Sequence, residues 1–216
     1  MGYPFVIKRN SEGTRPRLLK KGLVFFLLLS IAISVNAQSY RDSILVYRKR
    51  YIADLTAEQG GPVKPSQAKN FTFFQPDKSY CVWADFKETP GAVPFMVPTH
   101  SGKFKPYKEY GVLTMYVHDS MVALHVYQSM DLLKDAQYKD YLFLPFRDLT
   151  NYENTYGGGR YIDLRLDDIK NGRVLIDFNK AYNPYCAYAD GYSCPIPPDE
   201  NRLHIEITAG EKMFIQ

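Results

Sequence analysis

Residues 110–128, YGVLTMYVHDSMVALHVYQ, predict a β-hairpin and carry the strongest fold signal in the chain. Two runs rich in β-branched and aromatic residues, 110–118 and 121–128, flank the short polar turn Asp119-Ser120. The turn lacks the glycine that two-residue hairpin turns favour, but the runs beside it have the length and composition of paired strands. The pattern therefore indicates an antiparallel sheet around this hairpin.

Further short runs with the composition of strands lie on both sides of the hairpin. These runs are FTFFQ at 71–75, YCVWADF at 80–86, VPFMV at 93–97, YLFLPF at 141–146, RYIDLRL at 160–166, RVLIDF at 173–178, LHIEIT at 203–208 and KMFIQ at 212–216. Pro145 places its run near an edge or a strand end, because proline donates no ladder hydrogen bond. About nine or ten short strands and one helix predict a mainly β protein, either an antiparallel β-sandwich or a partly open barrel.

Some of these runs carry more specific signals. In residues 160–166 and again in 203–208, apolar side chains occupy every second position, which predicts one inward and one outward face. The dipeptide Asn171-Gly172, directly before the run 173–178, is a strong signal for a hairpin turn.

One helix is predicted, over residues 39–56, on the outside of the sheet. Its apolar residues recur at spacings of three and four, as they do on one face of a helix. The stripe consists of Ile44, Tyr47, Tyr51 and Leu55. Ser39 can cap the first turn, and Asp42 follows three positions later, as in a capping box.

Residues 1–37 have the pattern of an export signal. Six basic residues precede the apolar run LVFFLLLSIAISV at 23–35, and Val35-Asn36-Ala37 fits the small-residue rule for a signal peptidase site. The apolar run is shorter than the roughly 20 residues of an ordinary membrane span. We therefore expect a cleaved leader and an exported protein, periplasmic or secreted in a bacterium. The alternative is an uncleaved leader, which would be a membrane anchor.

Removing the leader changes the charge and leaves one domain. The whole chain carries a net charge of +4, whereas residues 38–216 hold 21 Lys and Arg against 22 Asp and Glu, a net charge of −1. Nucleic-acid binders normally keep a basic face on the folded domain, so we expect no nucleic-acid partner. The segment 38–216 is long enough for a single β-rich domain with a full core.

Three motifs in the second half of the chain are distinctive. They are YLFLPFRDLTNYENTYGGGRYIDL at 141–164, VLIDFNKAYNPYCAYADGYSCPIPPDENRL at 174–203 and ITAGEK at 207–212. Through them the chain resembles the domain-of-unknown-function family numbered 1684, a bacterial and archaeal group, over residues 40–212. The family has no established reaction, so the resemblance implies a fold unit and supplies no mechanism. The leader, the extra Cys81 and His204 depart from the family pattern.

The segment 177–202 holds two cysteines, four tyrosines and four prolines, and we predict an ordered loop system there. In an oxidising compartment Cys186 and Cys194 are expected to form a disulfide, while Cys81 stays free and buried. The alternative is a metal site built from both paired cysteines and His204. Zinc knuckles place two to four residues between paired ligands, a spacing this segment does not match, so we predict no metal.

The glycine-rich stretch TYGGGRY at 155–161 is predicted to be a bulge or a tight hairpin loop. Its glycines would let backbone N–H groups approach an anion closely. Phosphate-binding loops of the familiar kind lead into a helix, however, whereas this stretch leads into a predicted strand.

Polar residues at the ends of several predicted strands form the predicted ligand site. If the strands pair in order, these ends converge on one rim. The candidate ligand-binding residues are Arg147, Arg160, Tyr161, Asn179, Tyr182, Asn183, Asn201 and Arg202. Arginine suits bidentate contacts with carboxylate or phosphate, which favours a small polar or anionic ligand. The alternative is that buried Arg–Asp pairs and Asn-capped turns hold irregular loops together.

Three functions stay open from the sequence. The first is a non-catalytic binding module in the bacterial envelope, for a ligand such as a sugar that stacks on tyrosine rings. The second is a hydrolase that uses a carboxylate pair drawn from Asp148, Asp177 and Glu211. The third is a structural or protein-interaction domain. No nucleophile elbow or cofactor fingerprint occurs, so no cofactor is predicted.

Overall fold

The computed structural model describes residues 38–58 and 60–215. The predicted leader, residues 1–37, lies outside the described residues. Internal contacts divide the chain into Met1–Ser39 and Tyr40–Gln216. Residues 38 and 39 are the described part of the first unit, and the sheet and its cavities belong to the second.

The second unit is mainly β, and its centre is an antiparallel sheet of seven strands curled into a half-barrel. The strands are β1 (Cys81–Glu88), β2 (Phe95–Pro98), β3 (Phe104–Val117), β4 (Ser120–Ser129), β5 (Tyr141–Phe146), β6 (Arg160–Arg165) and β7 (Arg173–Asp177). Short 3-10 helices form much of the rest of the unit: Pro65–Asn70, Lys78–Tyr80, Leu132–Lys134, Ala136–Tyr138, Leu166–Asp168, Phe178–Lys180, Tyr185–Ala187 and Asp199–Asn201.

The strand order is β6-β5-β4-β3-β1-β7, and β2 pairs with β3. Strand β3 is long enough, at 14 residues, to pair with β4 along its length, with β2 at its start and with β1 near its end. The glycine-rich stretch lies at the end of the loop 147–159 that joins the paired strands β5 and β6, and this loop is longer than the tight hairpin loop predicted.

The predicted hairpin is the β3–β4 pair, and its turn lies one residue earlier than expected. Val117 pairs with Ser120, so the two-residue turn is His118-Asp119. His118 adopts a positive φ of 51°, the left-handed conformation for which such turns normally use glycine or asparagine.

The predicted strand count of nine or ten is wrong because three runs form no ladder. Residues 71–75 contribute one isolated bridge, from Phe73 to Glu211. In 203–208 the expected inward residues Leu203 and Ile207 are buried, yet the backbone of this run bonds to single groups of a neighbouring loop. The run 212–216 likewise makes scattered backbone bonds in its described part. Alternating burial can therefore arise in a segment that crosses the sheet without pairing to it.

The Asn171-Gly172 turn forms, but the strands beside it do not pair with each other. Both residues have positive φ, 52° and 71°, as a type I′ turn requires. Strand β7 nevertheless pairs with β1, while β6 pairs with β5 at the far side of the sheet. The expectation that strands pair in chain order fails here, because β7 and β6 lie at opposite edges of the sheet.

Helix α1 spans residues 38–55 of the described chain. Because residue 38 is already helical, Ser39 lies inside the helix and does not cap it. Ile44 and Leu55 of the predicted stripe are buried. Arg48 is buried as well, and its guanidinium donates a hydrogen bond there to the carbonyl of Phe74 at 2.7 Å. None of the helices in the described part of the chain is long and apolar enough to cross a membrane.

Strands β5 and β6 carry two different faces, as the alternation in 160–166 predicts. One face contributes Leu142, Leu144, Ile162 and Leu164 to the main hydrophobic core. The other face carries Tyr141, Phe143, Tyr161 and Asp163. A second, aromatic cluster forms on this other face, and the largest cavity that we describe lies over it.

Candidate functional site

A cleft of about 480 Å³ lies over the aromatic face of the sheet. Its aromatic lining consists of Tyr47, Tyr51, Tyr107, Tyr141, Phe143, Tyr161, Tyr182, Tyr185 and Tyr192. Its polar lining consists of Asp54, Lys105, Asp163 and Ser193. Helix α1, strands β3, β5 and β6 and the segment 182–195 all contribute, so residues distant in sequence meet at this one place.

The floor of the cleft comes from neighbouring strands. Phe143 of β5 lies directly opposite Asp163 of β6, and its ring meets that of Tyr161 edge-on at 4.7 Å between centroids. Tyr107 of β3 stands 5.6 Å from Phe143 on its other side. Tyrosine suits such a surface because its ring packs while its hydroxyl remains able to form hydrogen bonds.

Helix α1 forms one wall. Tyr47 and Tyr51 lie one helical turn apart, with nearly parallel rings 6.4 Å between centroids. The Tyr51 hydroxyl lies 2.8 Å from that of Tyr188 and donates to Glu211 Oε2 at 3.2 Å. Buried groups behind the wall therefore fix the position of this tyrosine.

The segment 182–195 forms an adjoining wall and is closed by the disulfide between Cys186 and Cys194, as predicted. Backbone hydrogen bonds in both directions join Tyr182 to Tyr161, and the Tyr161 hydroxyl donates to the carbonyl of Pro195. The disulfide thus closes a loop whose two ends are both attached to strand β6.

Asp163 is the carboxylate of the cleft floor. Its Oδ1 accepts hydrogen bonds from the hydroxyls of Tyr141, at 2.7 Å, and Tyr182, at 2.5 Å. Among the described residues, neither Asp163 nor Asp54 forms an ion pair. The cleft therefore contains an oriented carboxylate that forms no ion pair within the described residues.

The tyrosine hydroxyls around Asp163 remain protonated donors. Burial raises the pKa of Tyr47 and of Tyr107 to about 12. Burial, followed by the charge of Asp163, raises the pKa of Tyr141 well above its usual range, and burial does the same for Tyr182. These hydroxyls add no negative charge to the cleft at neutral pH.

Glu211, one of the three predicted catalytic candidates, lies behind the helix wall. Its carboxylate is fully buried and accepts hydrogen bonds from the Tyr188 hydroxyl, at 2.7 Å, and from the backbone N–H of Asn183, at 2.9 Å. Burial raises its pKa from 4.5 to about 7, although these hydrogen bonds oppose the shift. Glu211 supports the walls of the cleft and does not line it.

The other two candidates, Asp148 and Asp177, also serve the fold. Asp148 Oδ2 accepts from Arg160 at 2.7 Å, in an ion pair whose side chains are both fully buried. Asp177 Oδ1 accepts from the Tyr40 hydroxyl at 2.8 Å and from the side chain of Asn179 at 3.0 Å. Neither carboxylate lines the cleft, so the three candidates do not form a facing pair there.

None of the three arginines of the predicted site lines the cleft. The Arg160 guanidinium is buried and donates to the carbonyls of Ala209 and Ile207. Arg147 and Arg202 both bond to the exposed Asp199, away from the cleft. The predicted rim of cationic side chains is therefore absent from the described residues.

The asparagines of the predicted site are buried and bond to backbone. Asn179 exchanges hydrogen bonds with the backbone of Asp77, and Asn201 bridges His125 and Pro145. The Asn183 side chain donates to the carbonyl of Lys212 at 2.8 Å. Two of the eight predicted ligand residues, Tyr161 and Tyr182, line the cleft.

Sequence reasoning missed the residues that give the cleft its character. Tyr141, Phe143 and Asp163 occupy the outward face of strands that were correctly located, and their alternation with apolar residues is the signal that could have found them. Tyr107 lies in the first part of β3, before the predicted run 110–118. The remaining candidate chemistry is also limited: the described residues contain no cluster of His, Cys, Asp and Glu suited to a metal ion.

Comparisons with known proteins give a family and a structural relative. A family model described as "Protein of unknown function (DUF1684)" matches residues 67–212. The solution NMR structure of an uncharacterised protein from Haloarcula marismortui is similar, with a TM-score of 0.62 and 28% sequence identity. The match covers 82% of this chain and 96% of that one. No curated protein matches the chain.

Proposed function

The chain belongs to the DUF1684 family, and we propose that it is an exported, non-catalytic module that binds a small polar ligand in the tyrosine-lined cleft. The observation that carries the proposal is the cleft itself. It combines apolar ring surfaces with a few polar groups, the usual composition of a small-molecule site.

The charge of the lining argues against the anionic ligand that the arginines suggested. The lining contains two carboxylates, Asp54 and Asp163, and one ammonium group, Lys105. None of the three predicted arginines lines the cleft. An anion entering the cleft would have to be desolvated beside a carboxylate, which is unfavourable. A neutral or cationic polar ligand fits the lining better.

A binding role is favoured over hydrolysis because the predicted catalytic carboxylates are occupied elsewhere. Asp148 pairs with Arg160, Asp177 bonds Tyr40 and Asn179, and Glu211 is enclosed by tyrosine hydroxyls. Glycoside hydrolysis requires two carboxyl groups on opposite sides of the scissile bond. These three side chains offer no such arrangement to a substrate in the cleft.

Export is supported by the leader pattern and by the disulfide. Residues 1–37 have the composition of a cleavable signal, and Cys186–Cys194 forms a wall of the proposed site. Disulfides persist in the periplasm and outside the cell but are rare in a reducing cytosol.

A thermal-shift screen of sugars, polyols, amines, carboxylates and phosphates tests the proposal. A ligand that binds only the native state raises the melting temperature of the protein. When the ligand concentration is 100-fold above Kd, the free energy of unfolding increases by about 2.7 kcal/mol. The informative variant is Tyr185→Ala, at a cleft-lining ring that is 42% exposed and contacts Tyr192. We expect this variant to lose most of the ligand-induced shift.

Tyr116→Ala provides the matched control, because Tyr116 is 64% exposed on strand β3 and does not line the cleft. It should retain the full shift. If both variants keep the shift, the ligand binds elsewhere and the cleft is not the site. If no compound of any class shifts the wild-type protein, a structural or protein-interaction role is favoured instead.

A further inference from the structure

The lining of the cleft contains carboxylates that form no ion pair within the described residues. Its charged lining groups are Asp54, Asp163 and Lys105, and the described structure shows no ion pair for any of them. The formal charge of the lining is thus −1. Elsewhere in the molecule, a carboxylate pairs with a cation, as the half-buried Asp140 does with Arg165.

Asp163 is held in place but its hydrogen-bonding capacity is not used up. Both tyrosine hydroxyls, from Tyr141 and Tyr182, donate to the same oxygen, Oδ1. Within the described residues no donor reaches Oδ2, and the residue as a whole is exposed. An ionised carboxylate accepts about four hydrogen bonds, so Asp163 retains acceptor positions for a ligand.

The surroundings of this carboxylate are aromatic. Tyr161 and Tyr182 meet edge-on, with centroids 5.8 Å apart and planes at 90°, and Tyr51 is tilted against Tyr182 at 5.9 Å. Rings set at different angles present their electron-rich faces in several directions. A cation within about 6 Å of such a face is attracted by the ring, by roughly 0.5–2 kcal/mol per contact.

We propose that the cleft selects an organic cation, an amine or a quaternary ammonium group, whose charge is balanced by Asp163 and whose carbon atoms lie against the tyrosine rings. This inference rests on the proposed binding function and names the class of its ligand. It follows from the geometry because an anion would meet no arginine and a neutral sugar would leave the carboxylate without a counter-charge.

The test compares two probes of the same shape. Choline carries a trimethylammonium group, and the matched alcohol replaces its nitrogen with carbon and is neutral. Binding to the whole exported protein is measured by calorimetry and by tyrosine fluorescence. We expect choline to bind about tenfold more tightly than the neutral alcohol, and this preference to shrink as salt screens the charge.

The informative substitution is Asp163→Asn, which retains an oxygen for the two tyrosine hydroxyls and removes the charge. It should abolish the preference for choline, so that choline and the neutral alcohol bind with equal affinity. Asp167→Asn serves as the control, because Asp167 has a side chain that is 98% exposed and lies outside the cleft. This control should retain the full preference.

Failure of the inference can be told apart from failure of the proposed function. Equal binding of choline and its neutral analogue, or an unchanged preference in Asp163→Asn, overturns the cation and leaves the cleft as a site. Binding of a sugar or a phosphate with no binding of choline has the same meaning. If no probe of any class binds at the cleft, both the inference and the proposed function are wrong.

Discussion

Two carboxylates, Asp148 and Asp163, show how differently this molecule uses the same chemical group. Asp148 is fully buried against Arg160, and further donors from Thr150 and Ile207 fill its other oxygen. Asp163 lies in an open cleft, held by two tyrosine hydroxyls and paired with no cation of the described protein. The first carboxylate is satisfied by the fold, whereas the second has acceptor positions left over.

The difference teaches where to look for function in a chain with many polar motifs. The arginines and asparagines of the strand ends are the most conspicuous polar residues, yet their partners are the protein's own backbone and acids. Buried polar groups have to be hydrogen-bonded, so an irregular loop system needs many of them for stability alone. A polar group that the fold positions but does not satisfy is the better indicator of a site.

The largest effect is expected for Asp148→Asn, which tests whether this carboxylate is needed for the stability of the fold. This change leaves the buried guanidinium of Arg160 without its counter-ion, and removing one partner of a buried pair costs about 3–5 kcal/mol. Urea denaturation should show a loss of that size. A loss below about 1 kcal/mol would mean that the pair contributes no more than a surface ion pair does.

A pH titration of stability probes Glu211, which lies between the two extremes. Burial raises the pKa of Glu211 from 4.5 to about 7, so between these values the native state binds more protons than the unfolded state. The free energy of unfolding contributed by this group is therefore highest below pH 4.5 and falls as pH rises through the window to 7. The total change is about 3 kcal/mol.

The control for this titration is Glu211→Gln, because other acids titrate in the same range. Denaturation midpoints of both proteins are measured from about pH 4 to about pH 8, which includes the interval between the unfolded and native pKa values of Glu211. The wild type should lose stability relative to the variant as pH increases. An increase in its relative stability would contradict the raised pKa.

Removing the disulfide tests how far the cleft depends on the loop that the disulfide closes. Replacing Cys186 and Cys194 by serine frees a short loop, which costs about 2.5 kcal/mol on the chain-entropy estimate. Because the same loop carries Tyr185 and Tyr192 into the cleft, ligand affinity should fall as well. Urea denaturation and the thermal-shift assay measure the two effects, and reduced wild-type protein should behave like the double variant.

The smallest effect on stability is expected for Asp163→Asn. The residue is exposed, and asparagine retains an acceptor for Tyr141 and Tyr182, so the change should stay within about 0.5 kcal/mol. The same substitution is expected to remove the preference for a cation. A large loss of stability in urea denaturation would mean that Asp163, like Asp148, is needed for the stability of the fold.

Local patterns in the sequence predicted local structure well. The hairpin at 110–128, the outer helix, the disulfide and the two faces of 160–166 were all correctly expected, because each depends on neighbouring residues. The strand predicted at 203–208 was wrong since alternation reports burial and not pairing. Leu203 and Ile207 are buried in a run whose backbone bonds to a loop.

The candidate site was only partly predictable because its position depends on the order of the strands. The signal at Asn171-Gly172 gives a turn but does not say that β7 pairs with β1, far from β6. That order decides which strand ends are neighbours, and it places the end of β7, with Asp177, at the other edge of the sheet from Arg147 and Arg160. The tyrosine-rich segment was predicted as an ordered loop system from its own composition, and its residues 182–195 contribute to the cleft lining.

The cleft joins the first helix of the described chain to its last residues. Tyr51 and Glu211, 160 positions apart, share a hydrogen bond, and Tyr40 reaches Asp177 over 137 positions. Contacts between such distant positions have a high loop-closure cost and form slowly. We therefore expect the sheet to assemble before the cleft does. A chain that stops short of Glu211 should form its hairpin but lack the buried carboxylate that holds Tyr51 and Tyr188 in place.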